Sequence, residues 1–144
     1  MTRGSDERQY CAPGVDLPVC SVMRTKYGMY PEYHTSGDDL NFVTPKALEE
    51  TFEIYKKIII ALENNKKYKI NCLCEPQLGK RGLYPTISIK DTNKLIYDFT
   101  NFIAYCDGNN DLIDISNIIG APASKCIEFA TKLLNAGLIN DAGE

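Results

Sequence analysis

The sequence predicts an α+β chain, and three patterns carry that prediction. Apolar residues recur at helical spacing from Leu48 to Leu62, they alternate with polar ones from Tyr68 to Cys74, and closely spaced helical patterns follow from Lys94 onward. The first helix is well punctuated: Thr44 is placed to cap it, and Pro45 takes the first helical position, where a missing N–H leaves no bond unmade. Leu48, Phe52, Tyr55, Ile59 and Leu62 then form one stripe, a packing face to which no chemistry is assigned. Asn64, Asn65 and a lysine cluster end it.

In the alternating stretch, Tyr68, Ile70, Cys72 and Cys74 share one side of a half-buried strand, opposite Lys69, Asn71 and Leu73. Gly79 to Gly82 is a glycine-flanked basic loop, Leu83 to Ile89 a second extended segment, and Asp91 to Asn93 a linker or helix start. Beyond it, Leu95, Ile96, Phe99, Phe102, Ile103 and Cys106 form the buried side of a helix. Asp107 to Asn110 turns the chain and Leu112–Ile113 is a short strand candidate. Asp114 caps a brief helix stopped by Gly120. Pro122 opens a last helix with Ile127, Ala130, Leu133 and Leu134, and Gly137 stands at its C-terminal stop. Helix, short helix, tight turn, helix reads as a helix-turn-helix. Residues 1–43 hold most of the Pro, Gly and Tyr punctuation, and Leu17 to Met23 is their one clear strand candidate. The expected organisation is residues 1–93 as one domain and 94–144 as the helix-turn-helix domain.

Composition sets limits on class. The chain has 144 residues, 44% hydrophobic and 24% charged, ordinary for one domain or two small ones. Its longest apolar run, Ile58 to Leu62, is five residues, against roughly 20 for a membrane span. Charged Arg3, Asp6, Glu7 and Arg8 occupy the place where a signal peptide needs an apolar core. A cytoplasmic protein is expected. The six cysteines lack the spacing of a secreted scaffold and read as reduced, mostly buried thiols. A net charge of −3 argues against a general nucleic-acid coat.

The one histidine, His34, lies in Tyr33-His34-Thr35-Ser36-Gly37-Asp38-Asp39. Zinc needs three or four ligands, and no second histidine exists. Cys72 and Cys74 suit zinc chemically but lack the separation of a zinc finger.

Several stretches together resemble a family. Gly4-Ser5-Asp6-Glu7, then Tyr10, then Gly14-Val15-Asp16-Leu17-Pro18, then His34-Thr35 with Asp38 and a following helix, resemble the late segment of co-catalytic zinc aminopeptidases and of glutaminyl cyclases. The match extends to residues 4–10, 33–36, 74–85 and 94–139 of an uncharacterised bacterial aminopeptidase-like family with a winged-helix-like tail. The resemblance implies an α/β zinc-aminopeptidase-like domain, of which this chain would be the C-terminal portion and not a complete enzyme. It also implies zinc as cofactor, His34 as the last metal ligand and Asp38 as acceptor behind its ring. Asp6 would hydrogen-bond reacting groups. Glu7 stands where relatives often have histidine. Tyr10 or Tyr33 would offer a phenol to an oxyanion, with plain packing as the alternative. The bridging aspartate, an earlier histidine and the paired glutamates, one of them the general base, would lie upstream in a missing N-terminal part.

Lys80 and Arg81 are candidates for a carboxylate or phosphate, because arginine offers a fork of donors; a solvated hairpin tip is the plain alternative. A helix-turn-helix invites a DNA reading, but residues 94–144 carry three basic residues against seven acidic ones, a net of −4. DNA binding rests on neutralising phosphates. The few residues after Gly137 also leave no room for a wing hairpin. A docking or dimerisation module is therefore expected, with homo-oligomer or protein contacts through 94–144 and no membrane partner. The counterweight is the basic stretch Lys66, Lys67, Lys69, Lys80, Arg81, Lys90 and Lys94. A nucleic-acid-binding regulator and a non-catalytic interaction module stand as alternatives.

Overall fold

The computed structural model describes Gly4, residues 6–84 and residues 92–143. It divides into two units, Met1–Ile54 and Tyr55–Glu144. Ser5 of the Gly-Ser-Asp-Glu motif, most of the extended segment expected at Leu83 to Ile89, and Asp91 lie outside the described residues.

The first unit opens with a single helical turn, α1 (Glu7–Tyr10), closed by Cys11 N–H bonding to Glu7 O at 3.0 Å. The strand expected at Leu17 to Met23 does not form. Its carbonyls have another partner: the Cys11 thiol donates to Leu17 O and Val19 O, 3.2 Å each. Helix α2 (Pro45–Glu63), whose residues from Tyr55 onward are counted with the second unit, begins where the sequence places it. Thr44 Oγ1 accepts from Ala47 N–H at 3.2 Å, satisfying one of the donors a helix start leaves unpaired. The helix ends at the expected asparagines, with Asn64 Nδ2 donating to Ile60 O at 2.8 Å. Its stripe, expected as a packing face, stays open: Leu48, Phe52 and Leu62 are 61%, 65% and 61% exposed.

The second unit is built on a three-stranded antiparallel sheet in the order β2-β1-β3. Strand β1 (Lys67–Ile70) turns Tyr68 inward and Lys67 and Lys69 outward, the two-residue alternation of a half-buried strand. It is shorter than expected. Asn71 N–H still bonds Leu138 O at 2.8 Å, but Cys74 adopts a left-handed φ of 66°, which no strand accommodates. A 3-10 turn (Gly79–Arg81) is anchored by the buried Leu78. Helix α3 (Thr92–Ala104) buries Phe99, Phe102 and Ile103, as its pattern foretold.

Two local readings shift by a few residues. Asp107–Asp111 is not a turn but strand β2, with Lys67 opposite Asp111 and Lys69 opposite Asp107. Leu112–Ile113 is not a strand but the start of α4 (Leu112–Ile119). Asp111, not Asp114, is its cap: Asp111 Oδ1 accepts from Asp114 N–H at 2.8 Å while Asp114 Oδ2 accepts from Asp111 N–H at 3.4 Å. The reason is burial, since Leu112 and Ile115, three apart on a helical face, are both fully enclosed. Helix α5 (Ala123–Asn135) ends at Gly137, φ 66°, with Leu138 N–H reaching back to Leu133 O at 2.9 Å.

The described residues after Gly137 hold no hairpin, yet they do supply β3 (Ile139–Asp141), which pairs with β1. The unit containing the three helices therefore also takes in the strand at 67–70. Its core joins Tyr68, Leu78, Phe102, Leu112, Ile115, Phe129 and Leu133, with the Phe129 ring 5.0 Å from Phe99 and 5.9 Å from Phe102. Among the described residues no helix is long and apolar enough to cross a membrane.

Candidate functional site

His34 lies in the first unit, on a turn built by its neighbours. Thr35 N–H and Thr35 Oγ1 both donate to Glu32 O, at 3.0 and 2.8 Å, and Gly37 N–H donates to Thr35 Oγ1 at 3.2 Å. His34 itself takes a left-handed φ of 58° and is solvent-exposed. Histidine enters that region more readily than most residues, but not without strain. Its imidazole stacks on Tyr33, with centroids 4.0 Å apart and planes inclined by 22°. Tyr33 in turn contacts Tyr27 at 6.1 Å and Tyr30 at 5.8 Å, and Tyr30 stacks on Phe42 at 5.4 Å. Periodicity could not find this aromatic group, because its members come from an irregular stretch.

Glu7 is the electrostatic anchor of the same unit. Its Oε1 accepts from Gly4 N–H at 3.2 Å and from the Tyr27 hydroxyl at 3.4 Å, and its Oε2 accepts from Ser21 Oγ at 3.2 Å. Its own backbone N–H, followed by these donors, holds the Glu7 carboxyl below its ordinary range. Desolvation and the adjacent Glu7 charge push the Tyr27 phenol up.

The other sequence candidates take simpler positions. Asp6 opens α1, its carbonyl accepting from Gln9 and Tyr10 N–H at 2.9 and 3.0 Å, while its side chain makes no capping bond. Tyr10 is exposed on the same turn. Asp38 N–H bonds Thr35 O at 3.2 Å, but no hydrogen bond joins the Asp38 carboxylate to His34 among the described residues. Lys80 and Arg81 belong to the second unit, exposed on the 3-10 turn, with Arg81 Nη1 donating to Gln77 O at 3.4 Å. An apolar cavity of about 360 Å³ follows that turn, lined by Leu83, Tyr84, Leu95, Phe99 and Phe129 with Lys132.

Imidazole is a suitable zinc donor, but among the described residues no group of three or more His, Cys, Asp or Glu side chains could hold a metal ion. One donor is not a site, so the described residues do not complete a zinc centre. The cysteines do not supply one either. Cys106 and Cys126 are buried, and desolvation pushes their thiols up to about 12 and about 11. The expectation that most cysteines are buried fails for Cys20 and Cys74, which are exposed, and for Cys11 and Cys72, which are partly so.

Part of the basic stretch lies beside aspartates of the sheet, while Lys80 and Arg81 stand exposed on the 3-10 turn. Lys66 pairs with Asp141 at 2.7 Å, and Lys67 and Lys69 stand opposite Asp111 and Asp107. On α5, Lys125 pairs with Glu128 at 3.0 Å and lies over the Phe129 ring.

Three helices with a tight turn between the last two, closed by a three-stranded sheet, define a winged helix-turn-helix. Residues 66–141 match the family described as winged helix-turn-helix, and the chain belongs to it. Residues 1–65 match a domain of unknown function, DUF4910. A Clostridium acetobutylicum protein described as a "putative polysaccharide biosynthesis protein with aminopeptidase-like domain" is 42% identical over 78% of this chain. A crystal structure of a "putative peptidase" from Clostridium acetobutylicum superposes with a TM-score of 0.80 at 34% identity, covering 96% of this chain. The similarity is to the C-terminal part of the aminopeptidase-like relative. This chain spans 26% of the length of the first and 30% of the second.

Proposed function

We propose that the chain contributes one imidazole, His34, to a zinc hydrolase centre of the aminopeptidase type, and that its winged-helix unit docks protein rather than DNA. One observation carries this reading: the chain is similar over 96% of its length to a structure described as a "putative peptidase" and more than three times as long, yet brings a single histidine. The remaining donors and the general base would then come from polypeptide outside this sequence, and the chain alone is not a hydrolase. Asp6 and Tyr10 are the residues proposed to hydrogen-bond reacting groups, with Asp38 as a partner for the His34 ring. Lys80 and Arg81 are proposed to bind a carboxylate or phosphate. The spacing of the six cysteines, unlike that of a secreted scaffold, favours a reducing compartment such as the cytoplasm.

The docking role rests on charge and apolar exposure. The acidic helices offer DNA few cations, and the strand lysines already face aspartates. Ile118 on α4 and Leu134 on α5 remain exposed instead.

Zinc titrated into the chain is expected to bind weakly, and the binding is expected to vanish in His34→Ala. Zinc uptake unchanged in that variant removes the ligand role. Hydrolysis of an aminoacyl anilide by the chain alone stays at background, and clear turnover there would end the claim of incompleteness. Salt-dependent binding to duplex DNA, weakened by neutralising Lys125 and Lys132, would replace docking with nucleic-acid recognition.

A further inference from the structure

We infer that Gly4, Glu7 and Tyr27 form a clamp that fixes Tyr33 and, through it, the direction in which the His34 imidazole is presented. The functional meaning of the clamp rests on the reading of His34 given above; its existence does not.

A histidine that serves as a donor is usually oriented by a hydrogen bond from its second ring nitrogen to a carboxylate or carbonyl. No such bond reaches the His34 ring among the described residues, and Asp38 does not provide it. The ring is held instead by its stack on Tyr33, 4.0 Å away and nearly parallel, on a backbone turned left-handed. An exposed stack orients a ring well only if the surface beneath it is fixed.

Tyr33 is fixed from the side by Tyr27, 6.1 Å between centroids and inclined by 34°. Tyr27 is fixed by its hydroxyl. That oxygen lies so close to Gly4 that a Cβ there would collide with it, and it points to Glu7 Oε1 at 3.4 Å. A side chain at Gly4 would therefore displace the Tyr27 hydroxyl end from its present place beside Glu7. Glu7 ties the notch together through Gly4 N–H and Ser21 Oγ, both 3.2 Å. Every part of the clamp lies in the first unit. Glu7, Tyr27 and Gly4 are positioning residues, acting on His34 through Tyr33. The motif at residues 4–7 therefore acts on His34 although neither Gly4 nor Glu7 touches it.

Because His34 is the one histidine in the sequence, its ring protons are an unambiguous probe of the full chain. In the metal-free protein the Tyr33 ring current is expected to displace the His34 ring signals upfield from those of a disordered chain. Tyr33→Leu should abolish the displacement. Gly4→Ala and Glu7→Ala should remove most of it, and Tyr27→Phe, which keeps the ring and loses the anchor, should reduce it. The shifted methyl signals of the winged-helix core report whether each variant stays folded there. A displacement unchanged in Gly4→Ala and Glu7→Ala overturns the clamp, as does its absence in the native chain. Zinc is then added to the native chain as a separate arm. Ring signals that fail to move with zinc overturn the ligand reading and leave the clamp standing.

Discussion

Residues up to Ile54 and residues from Tyr55 onward differ in where their apolar side chains go. In the second unit Phe102, Leu112, Ile115, Cys126 and Leu133 are completely enclosed. In the first, no described residue is buried, and Leu40 and Met29 are 87% and 74% exposed. The second unit is organised by burial, which contributes about 25 cal/mol per Å² of apolar surface removed from water. The first is organised by individual polar contacts: the Thr44 cap, the Thr35 turn, the Glu7 notch and the Arg24–Glu50 ion pair at 2.7 Å. Exposed pairs of that kind contribute little each. A unit that folds around its own core holds its residues by burial, whereas one made of turns and an open helix holds them by single contacts. The candidate chemistry at His34 lies in the second kind, and the family fold in the first.

The sharpest test of this contrast is the same truncation in both units. Phe102→Ala is expected to destabilise the winged-helix unit by about 3–5 kcal/mol, read as a lowered urea midpoint. Phe52→Ala, at an exposed position on α2, is expected to stay within about 0.5 kcal/mol. Comparable losses would show that α2 has a covered face after all.

Alkaline unfolding comes next in size. The folded Cys106 thiol titrates at about 12 and its unfolded counterpart at 9.0. A raised folded value means the stabilisation is complete below 9.0 and is lost as pH rises toward 12. The slope is up to about 1.4 kcal/mol per pH unit for that thiol. Thiol labelling should accordingly be fast at Cys20 and Cys74 and wait for unfolding at Cys106 and Cys126. Early labelling of Cys106 would mean the core opens more readily than its packing implies.

Removing the α4 cap with Asp111→Ala should lower stability by about 1 kcal/mol. Asp114→Ala should cost less, since it loses only the reciprocal half of the box; the reverse order would contradict the cap assignment.

The smallest effect concerns the sheet margin. Lys66 and Gly143 N–H hold the Asp141 carboxyl below its ordinary 3.8. Its contribution is present above that value and fades as pH falls through the lowered folded one. An NMR titration of Lys66→Gln should return Asp141 toward 3.8, with little change in midpoint.

Much of the second unit was legible because its code is local. The stripe from Leu95 to Cys106, the Gly120 and Gly137 stops and the final helix each follow from spacing and glycine geometry. The errors there fell at Asp107–Ile113, where one short stretch satisfies strand, turn and cap rules at once. Pairing with Lys67 and Lys69 and the enclosure of Leu112 and Ile115 selected among them. The partner strand sits about forty residues earlier, beyond the reach of any local pattern. At the candidate site the sequence singled out His34, Asp6 and Tyr10 by resemblance, and placed Asp38 behind the ring. Tyr27 and the bonds of Glu7 went unseen, since contacts across 14 and 20 residues of irregular chain leave no periodic trace.

By itself, then, the sequence determined both ends of α2 and α5 and the Gly120 stop of α4, that the tail is a helix-turn-helix, and that the chain brings one imidazole. Those properties depend on composition, capping and hydrophobic period, which act over a few residues. Tertiary structure alone decided that the strand at 67–70 closes the helical unit, that its lysines stand opposite aspartates, and that Glu7 meets Ser21 and Tyr27. Each depends on which distant side chains meet, and that is set by burial and pairing across the fold rather than by neighbours in the chain.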